Sequence, residues 1–181
     1  MRVIALEHAR RRERAYLRLV EPHRAELRAH CRRMLGSQDA AEDAVQEAMV
    51  RAWRALPRFA GRGSIRSWLY RIATNVSLDA MRSRGRWATP VDPRLGDELV
   101  DPPTDEREWR EALQLTLAAA TDALPPTQLA VLILRAVSGF SAAETARILG
   151  MTVPAVNSAL QRARANLRAA RDSSSGDEIA A

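Results

Sequence analysis

Between Phe59 and Arg86 the chain reads FAGRGSIRSWLYRIATNVSLDAMRSRGR, and this stretch limits the fold more than any other. A glycine-punctuated loop over residues 60–64 runs into apolar residues at Ile65, Trp68, Leu69, Ile72 and Val76, the spacing of a helix with one buried face. Such a helix needs a core to pack on. Its opposite side carries Arg66, Ser67, Arg71, Thr74 and Asn75, and the stretch ends in Arg82, Arg84 and Arg86. Guanidinium forks mixed with short hydrogen-bonding groups suit a phosphate backbone and base edges. The same residues also read as a core helix with a solvated basic flank. Gly61 and Gly63 give the loop backbone angles closed to other residues, so it can curve around a flipped base.

Charge is distributed unevenly along the chain. Of 181 residues, 28 are Lys or Arg, and every one of these is arginine, giving a net charge of +6. A genome rich in G and C accounts for arginine in place of lysine as readily as phosphate binding does. Residues 1–35 hold ten arginines against four acids, 51–86 hold nine against Asp79, and 88–111 reverse the sign with eight acids against three arginines. Two basic blocks separated by an acidic joint bearing Pro90, Pro93, Pro102 and Pro103 read as two nucleic-acid-facing modules on a flexible acidic linker. The single Cys31 excludes an internal disulfide and fits a cytoplasmic protein. No apolar run approaches membrane-spanning length, and the arginine-rich start lacks a secretory core, so no membrane partner is expected.

The periodicity is helical throughout, which predicts an all-α protein of two small helical domains. A helix over residues 5–35 carries Leu27, Cys31, Met34 and Leu35 inward and ends at Gly36. His23, His30 and Cys31 lack the spacing of a zinc site, and no metal or other cofactor is expected. A second helix begins near Asp39, with Glu42 completing a capping-box-like pair, and buries Val45, Met49, Trp53 and Leu56. Its outer face shows Asp39, Glu42, Asp43, Gln46, Glu47 and Arg51. Acids first and arginines last is the order the helix dipole prefers. An acidic face in a basic module also repels DNA, which points to a protein partner.

In the second block, a helix carrying Trp109, Leu113, Leu117 and Ala120 is broken by Pro125 and Pro126. The run LAVLILRAV from Leu129 is apolar on nearly every side and belongs at the centre of this module, with Gly139 stopping it. Ser141 and Glu144 form a capping box, Gly150 ends a short helix, and Thr152 caps the next. A short capped helix, a glycine turn and a longer helix make a helix-turn-helix. Val153, Val156, Leu160 and Leu167 are expected inward, leaving Pro154, Ala155, Asn157, Ser158, Gln161, Arg162 and Arg164 outward to read duplex DNA. Asn157 and Gln161 can pair with adenine and the arginines with guanine or phosphate, while small Ala155 and Ser158 allow close approach. An ordinary helical hairpin with a polar exterior is the competing interpretation. The final DSSSGDEIAA is expected to be unordered.

DAAEDAVQEAMVRAW followed by WLYRIATN resembles region 2 of the extracytoplasmic-function σ factors of the σ70 family, in their actinobacterial form. LPPTQLAVLILRAVSGFSAAETARILGMTVPAVNSALQRARANL resembles their region 4. The resemblance implies a σ2-like domain over 1–87, a linker over 88–107, a σ4-like helix-turn-helix domain over 108–171 and a tail over 172–181. It implies that Asp39, Glu42, Asp43, Gln46, Glu47 and Arg51 meet the clamp helices of the largest subunit of core RNA polymerase, and that the flap of the second-largest subunit is also a partner. Arg62, Gly63, Ser64, Arg66, Ser67, Trp68, Arg71, Asn75, Arg82, Arg84 and Arg86 then recognise and open the −10 element. Thr152, Pro154, Ala155, Asn157, Ser158, Gln161, Arg162 and Arg164 read the −35 element, and the acidic linker threads toward the polymerase active-site channel. No catalytic residue is needed.

The VNSALQRAR segment is similar to σ factors that continue into a further C-terminal α/β domain, and the chain stops soon after it, as a short natural form or a truncated one. No zinc-binding anti-σ signature is present, so an anti-σ factor would be a separate chain. The terminal Ala180 and Ala181 resemble ends read by the ClpXP protease, an ending shared by orphan σ factors of antimycin-type clusters. The alternative is a free-standing helix-turn-helix regulator, which needs neither a melting helix nor a polymerase-facing acidic surface. A nucleic-acid enzyme would need a metal or acid/base cluster that these residues do not supply.

Overall fold

The structure is a computed structural model that describes residues 2–59, 61, 63–84 and 124–177. Among the described residues every regular element is helical: α1 Arg2–Leu19, α2 Arg24–Leu35, α3 Gln38–Ala55, α4 Ile65–Ser83, α5 Pro126–Leu132, α6 Ala142–Leu149 and α7 Val153–Asp177. The expected linker, the Trp109–Ala120 helix and the terminal alanines lie outside them.

One helix was expected over 5–35, and two are found. Pro22 lies in a 3-10 turn, Glu21–His23, that separates α1 from α2. Proline has no N–H for the helical ladder and its ring clashes with the preceding turn, so α1 cannot run through it. α2 buries Leu27, Cys31, Met34 and Leu35 at the expected spacing and stops at Gly36, whose φ of 70° is left-handed. The cap of α3 is Ser37 rather than Asp39. Ser37 has extended backbone angles and its side chain accepts a hydrogen bond from the Ala40 N–H, whereas Asp39 is already helical. Val45, Met49 and Leu56 are buried, and Trp53 is half-buried. Its ring meets the edge of Tyr16 at 5.1 Å and carries the Arg12 guanidinium 4.5 Å above it.

α5 passes into a π-helical turn, Ile133–Val137, in which the Ser138 N–H reaches back to the Ile133 carbonyl at 2.8 Å. Leu129 through Leu134 are all fully buried, as an all-round apolar run requires. The Phe140 N–H bonds the Leu134 carbonyl and Arg135 Nη1 donates to the Phe140 carbonyl at 2.7 Å, which turns the Phe140 ring into the core. The last helix corrects the tail expectation: its backbone runs to Asp177, through six residues of the segment read as unordered. Once a helix is nucleated each added residue gains a hydrogen bond, so a polar end is carried along.

α2, α3 and α4 pack on one another, α5 and α6 pack against α7, and α4 lies against α6. The buried side chains of both groups form one continuous core.

Candidate nucleic-acid interface

Ser64 opens α4, its Oγ accepting from the Ser67 N–H at 3.0 Å. Gly61 and Gly63 before it hold φ of 68° and 96°, so the loop does use the left-handed region that glycine alone enters freely. Gly63 and Ser64 are exposed, while Trp68 is half-buried with its ring 5.0 Å from that of Phe59. Arg71, Asn75, Arg82 and Arg84 are exposed on or just after α4. Arg62 and Arg86 lie outside the described residues.

Two expected members of this face are turned elsewhere. Thr74 is fully buried, its Oγ1 hydrogen-bonded to His30 Nε2 at 2.9 Å. Arg66 reaches across to the second helical group, where its Nη2 donates to the Ser138 carbonyl at 3.0 Å, and its Nε donates to Glu26 Oε2 at 3.0 Å. Burial disfavours the charge on Glu26, but hydrogen bonds from His23 and Arg66 outweigh it and hold that carboxyl below the usual range.

The six residues assigned to the outer face of α3 are all exposed: Asp39, Glu42, Asp43, Gln46, Glu47 and Arg51. Arg51 bonds Glu47 at 2.7 Å and lies 3.7 Å from Asp79, which holds Arg82 at 2.8 Å. Exposed pairs of this kind are worth about 0–1 kcal/mol, so they hold Arg51 and Arg82 only weakly. A groove of about 600 Å³ along α1 adds Arg10, Arg11, Arg14 and Arg18 to the cationic surface.

In the second group, the Ser141–Glu144 capping box is closed in both directions: Ser141 Oγ accepts from the Glu144 N–H at 3.2 Å, and Glu144 Oε2 from the Ser141 N–H at 2.9 Å. Those bonds hold the Glu144 carboxyl below its ordinary range. Gly150 is left-handed at φ 68°, and Thr152 Oγ1 accepts from the Ala155 N–H at 3.3 Å, launching α7. On α7 the exposed stripe follows Pro154, Asn157, Arg162, Ala165 and Arg168, with Ser158 and Gln161 half-exposed and Thr152 and Val153 at its head.

This corrects three orientations. Ala155 and Arg164 were expected outward and are buried, whereas Val153 was expected inward and is 39% exposed. The apolar positions Val156, Ala159, Leu160, Ala163 and Leu167 set the buried face, and Ala155 and Arg164 fall on its two edges. Arg168 was missed by sequence reasoning. Its position, seven residues after Gln161 on the same face, was the available signal.

The described residues thus form two helical groups, one with a glycine loop leading into a capped arginine-bearing helix and the other a capped helix-turn-helix. Residues 19–86 match the family model of σ70 region 2, and residues 114–167 match that of σ70 region 4. The RNA polymerase sigma factor CnrH of Cupriavidus metallidurans is 34% identical over 182 residues, covering 96% of this chain and 95% of that protein. The ECF RNA polymerase sigma factor SigG of Mycobacterium tuberculosis is 42% identical over 178 residues, covering 84% of this chain but 48% of SigG, so the chain spans about half the length of that relative. The structure of CnrH in complex with the cytosolic domain of CnrY is similar at a TM-score of 0.65 and 30% identity, covering 95% of this chain and 97% of that one. The sigma factor RpoE in complex with the anti-sigma factor NepR, from Bartonella quintana, is similar at a TM-score of 0.56 and 27% identity, covering 86% of this chain and 93% of that one. The chain belongs to the extracytoplasmic-function σ factors of the σ70 family. Among the described residues no helix is long and apolar enough to cross a membrane.

Proposed function

We propose that the chain binds core RNA polymerase in the cytoplasm and directs it to promoters, recognising −10 and −35 elements and opening the −10 region. The observation that carries this reading is the exposed acidic face of α3 inside a basic module: a free-standing regulator has no use for a surface that repels DNA. On this reading Asp39, Glu42, Asp43, Gln46, Glu47 and Arg51 meet the polymerase clamp helices. The Gly63–Ser64 loop, Ser67, Trp68, Arg71 and Asn75 meet the opened −10 strand. The exposed stripe of α7 enters the major groove at −35. The factor supplies binding energy for strand opening and the polymerase performs the chemistry, so no enzymatic activity of its own is assigned. Since the similar σ factors CnrH and RpoE are complexed with CnrY and the anti-sigma factor NepR, an inhibitory protein partner is part of the proposal. Run-off transcription with core polymerase over a promoter library tests it: discrete start sites are expected, and binding of a duplex operator without any polymerase-dependent initiation would favour the free-standing regulator instead.

Two substitutions separate base reading from backbone binding. Asn157→Ala is expected to lose about 1–3 kcal/mol of discrimination at a particular −35 base pair. Equal loss on every −35 variant in a binding series would count against base reading. Arg84 is exposed and has no bonded acid among the described residues, so Arg84→Ala is expected to weaken binding on all sequences alike. The slope of log affinity against log salt should then fall by about 0.9 for duplex contact or about 0.7 for a single strand.

A further inference from the structure

At the edge of the core shared by the two helical groups, one side chain bridges them through polar and ring contacts. The Arg66 guanidinium carbon lies 4.8 Å from the Tyr70 ring centroid and 4.4 Å from that of Phe140. Its Nε and Nη2 are taken by Glu26 and by the Ser138 carbonyl, and Tyr70 and Phe140 meet edge to face at 4.8 Å. Tyr70 Oη also donates to Glu26 Oε2 at 3.4 Å. Phe140 is 3% exposed, and it directly precedes Ser141, the cap of the first helix of the helix-turn-helix. Arg66 is thus engaged by rings and acceptors, some from each group, which fix its guanidinium at the seam between them.

This arrangement conflicts with simultaneous reading of two promoter elements. By their positions the −10 and −35 elements are centred roughly 25 base pairs apart, which at about 3.4 Å per base pair is about 85 Å of duplex. A compact chain of 181 residues has a radius of gyration of about 16 Å and is roughly 40 Å across. With α4 held against α6, the two DNA-facing surfaces cannot both be seated.

We propose that Arg66 is an intramolecular latch rather than a promoter contact: seated between Tyr70 and Phe140, it closes region 4 onto region 2 and holds the factor in a form that cannot engage a promoter. The latch rests on the proposed function for its consequence but not for its geometry. Affinity of a protein whose competent form is a fraction of the population is reduced by that fraction, so opening the latch raises apparent affinity.

The test uses the full chain. Arg66→Gln removes the charge and the fork, and Phe140→Leu keeps apolar bulk while removing the ring face. Both are expected to retain the helical circular dichroism signal, to increase the radius of gyration in small-angle X-ray scattering without DNA, and to bind core polymerase and promoter DNA severalfold more tightly than the parent. Unchanged scattering in both variants overturns the latch. So does an Arg66→Gln protein that binds promoter complexes more weakly without expanding, the result of a plain phosphate contact. Expansion in both variants, with no initiation by parent or variants, would instead refute the promoter reading and leave the closure standing.

Discussion

Lowering the pH from 6.5 toward 3 is expected to destabilise the fold by about 1.4 kcal/mol per pH unit through His30 alone. His30 is fully buried, and burial first, then the nearby Arg33 and Arg66, push its pKa from 6.5 down to about 3, against the opposing pull of Glu26. Its ring lies 4.9 Å from that of Tyr70 and shares a hydrogen bond with Thr74. The sign follows from proton counting. Between the two pKa values the unfolded chain binds a proton at this residue and the folded chain does not, so stability is complete above pH 6.5 and drains away as pH falls. Glu26, whose carboxyl is held low, begins to add a loss of the same sign only below its ordinary pKa of 4.5. Urea unfolding midpoints across pH 7.5 to 4.5 check this, with His30→Gln as the comparison that keeps a donor for Thr74. A midpoint that does not move between pH 6.5 and 5, or that moves equally in the variant, would remove His30 from the account.

Leu132→Ala is expected to cost about 2–5 kcal/mol, the range for leucine deletions that leave a cavity. Leu132 is 0% exposed in the apolar run of α5 that packs against α7. For a chain of this size each kcal/mol lowers Tm by about 2–4 °C, so a shift of roughly 4–20 °C is expected in a thermal melt. Leu17→Ala, on a side chain 56% exposed, should stay within about 0.5 kcal/mol. Similar shifts for the two would mean that the centre of the second group is not packed as described.

The elements themselves were legible because each is announced locally. A serine three residues before a glutamate, a glycine after the last apolar position and apolar spacing of three and four placed α6, the turn and the start of α7 within a residue or two. What failed was also local but graded. Pro22 was overlooked as a break inside a long arginine-rich segment, and Asp39 was preferred as a cap although Ser37 stands closer to the glycine that ends α2. The faces of α7 were misjudged at Ala155 and Arg164 because a helix of 3.6 residues per turn puts such positions at the edge of a stripe, where packing partners decide. The contact between the groups was not legible at all. Periodicity reports that a face is covered, not what covers it, and Arg66 meets the carbonyl of a residue 72 positions away. Read alone, that arginine belonged with its neighbours on the DNA-facing side.

The π-helical turn at Ile133–Val137 leads into Ser138 and Phe140, the two residues that receive Arg66. A turn of this type accommodates one more residue than an α-helical turn, and one residue subtends about 100° around a helix axis. Shortening the segment by a single residue would therefore swing the aromatic ring about a quarter of a revolution away from its seat while leaving the exposed side chains of α7 chemically intact. In this protein, the length of one short turn sets where the Phe140 ring falls against the other helical group.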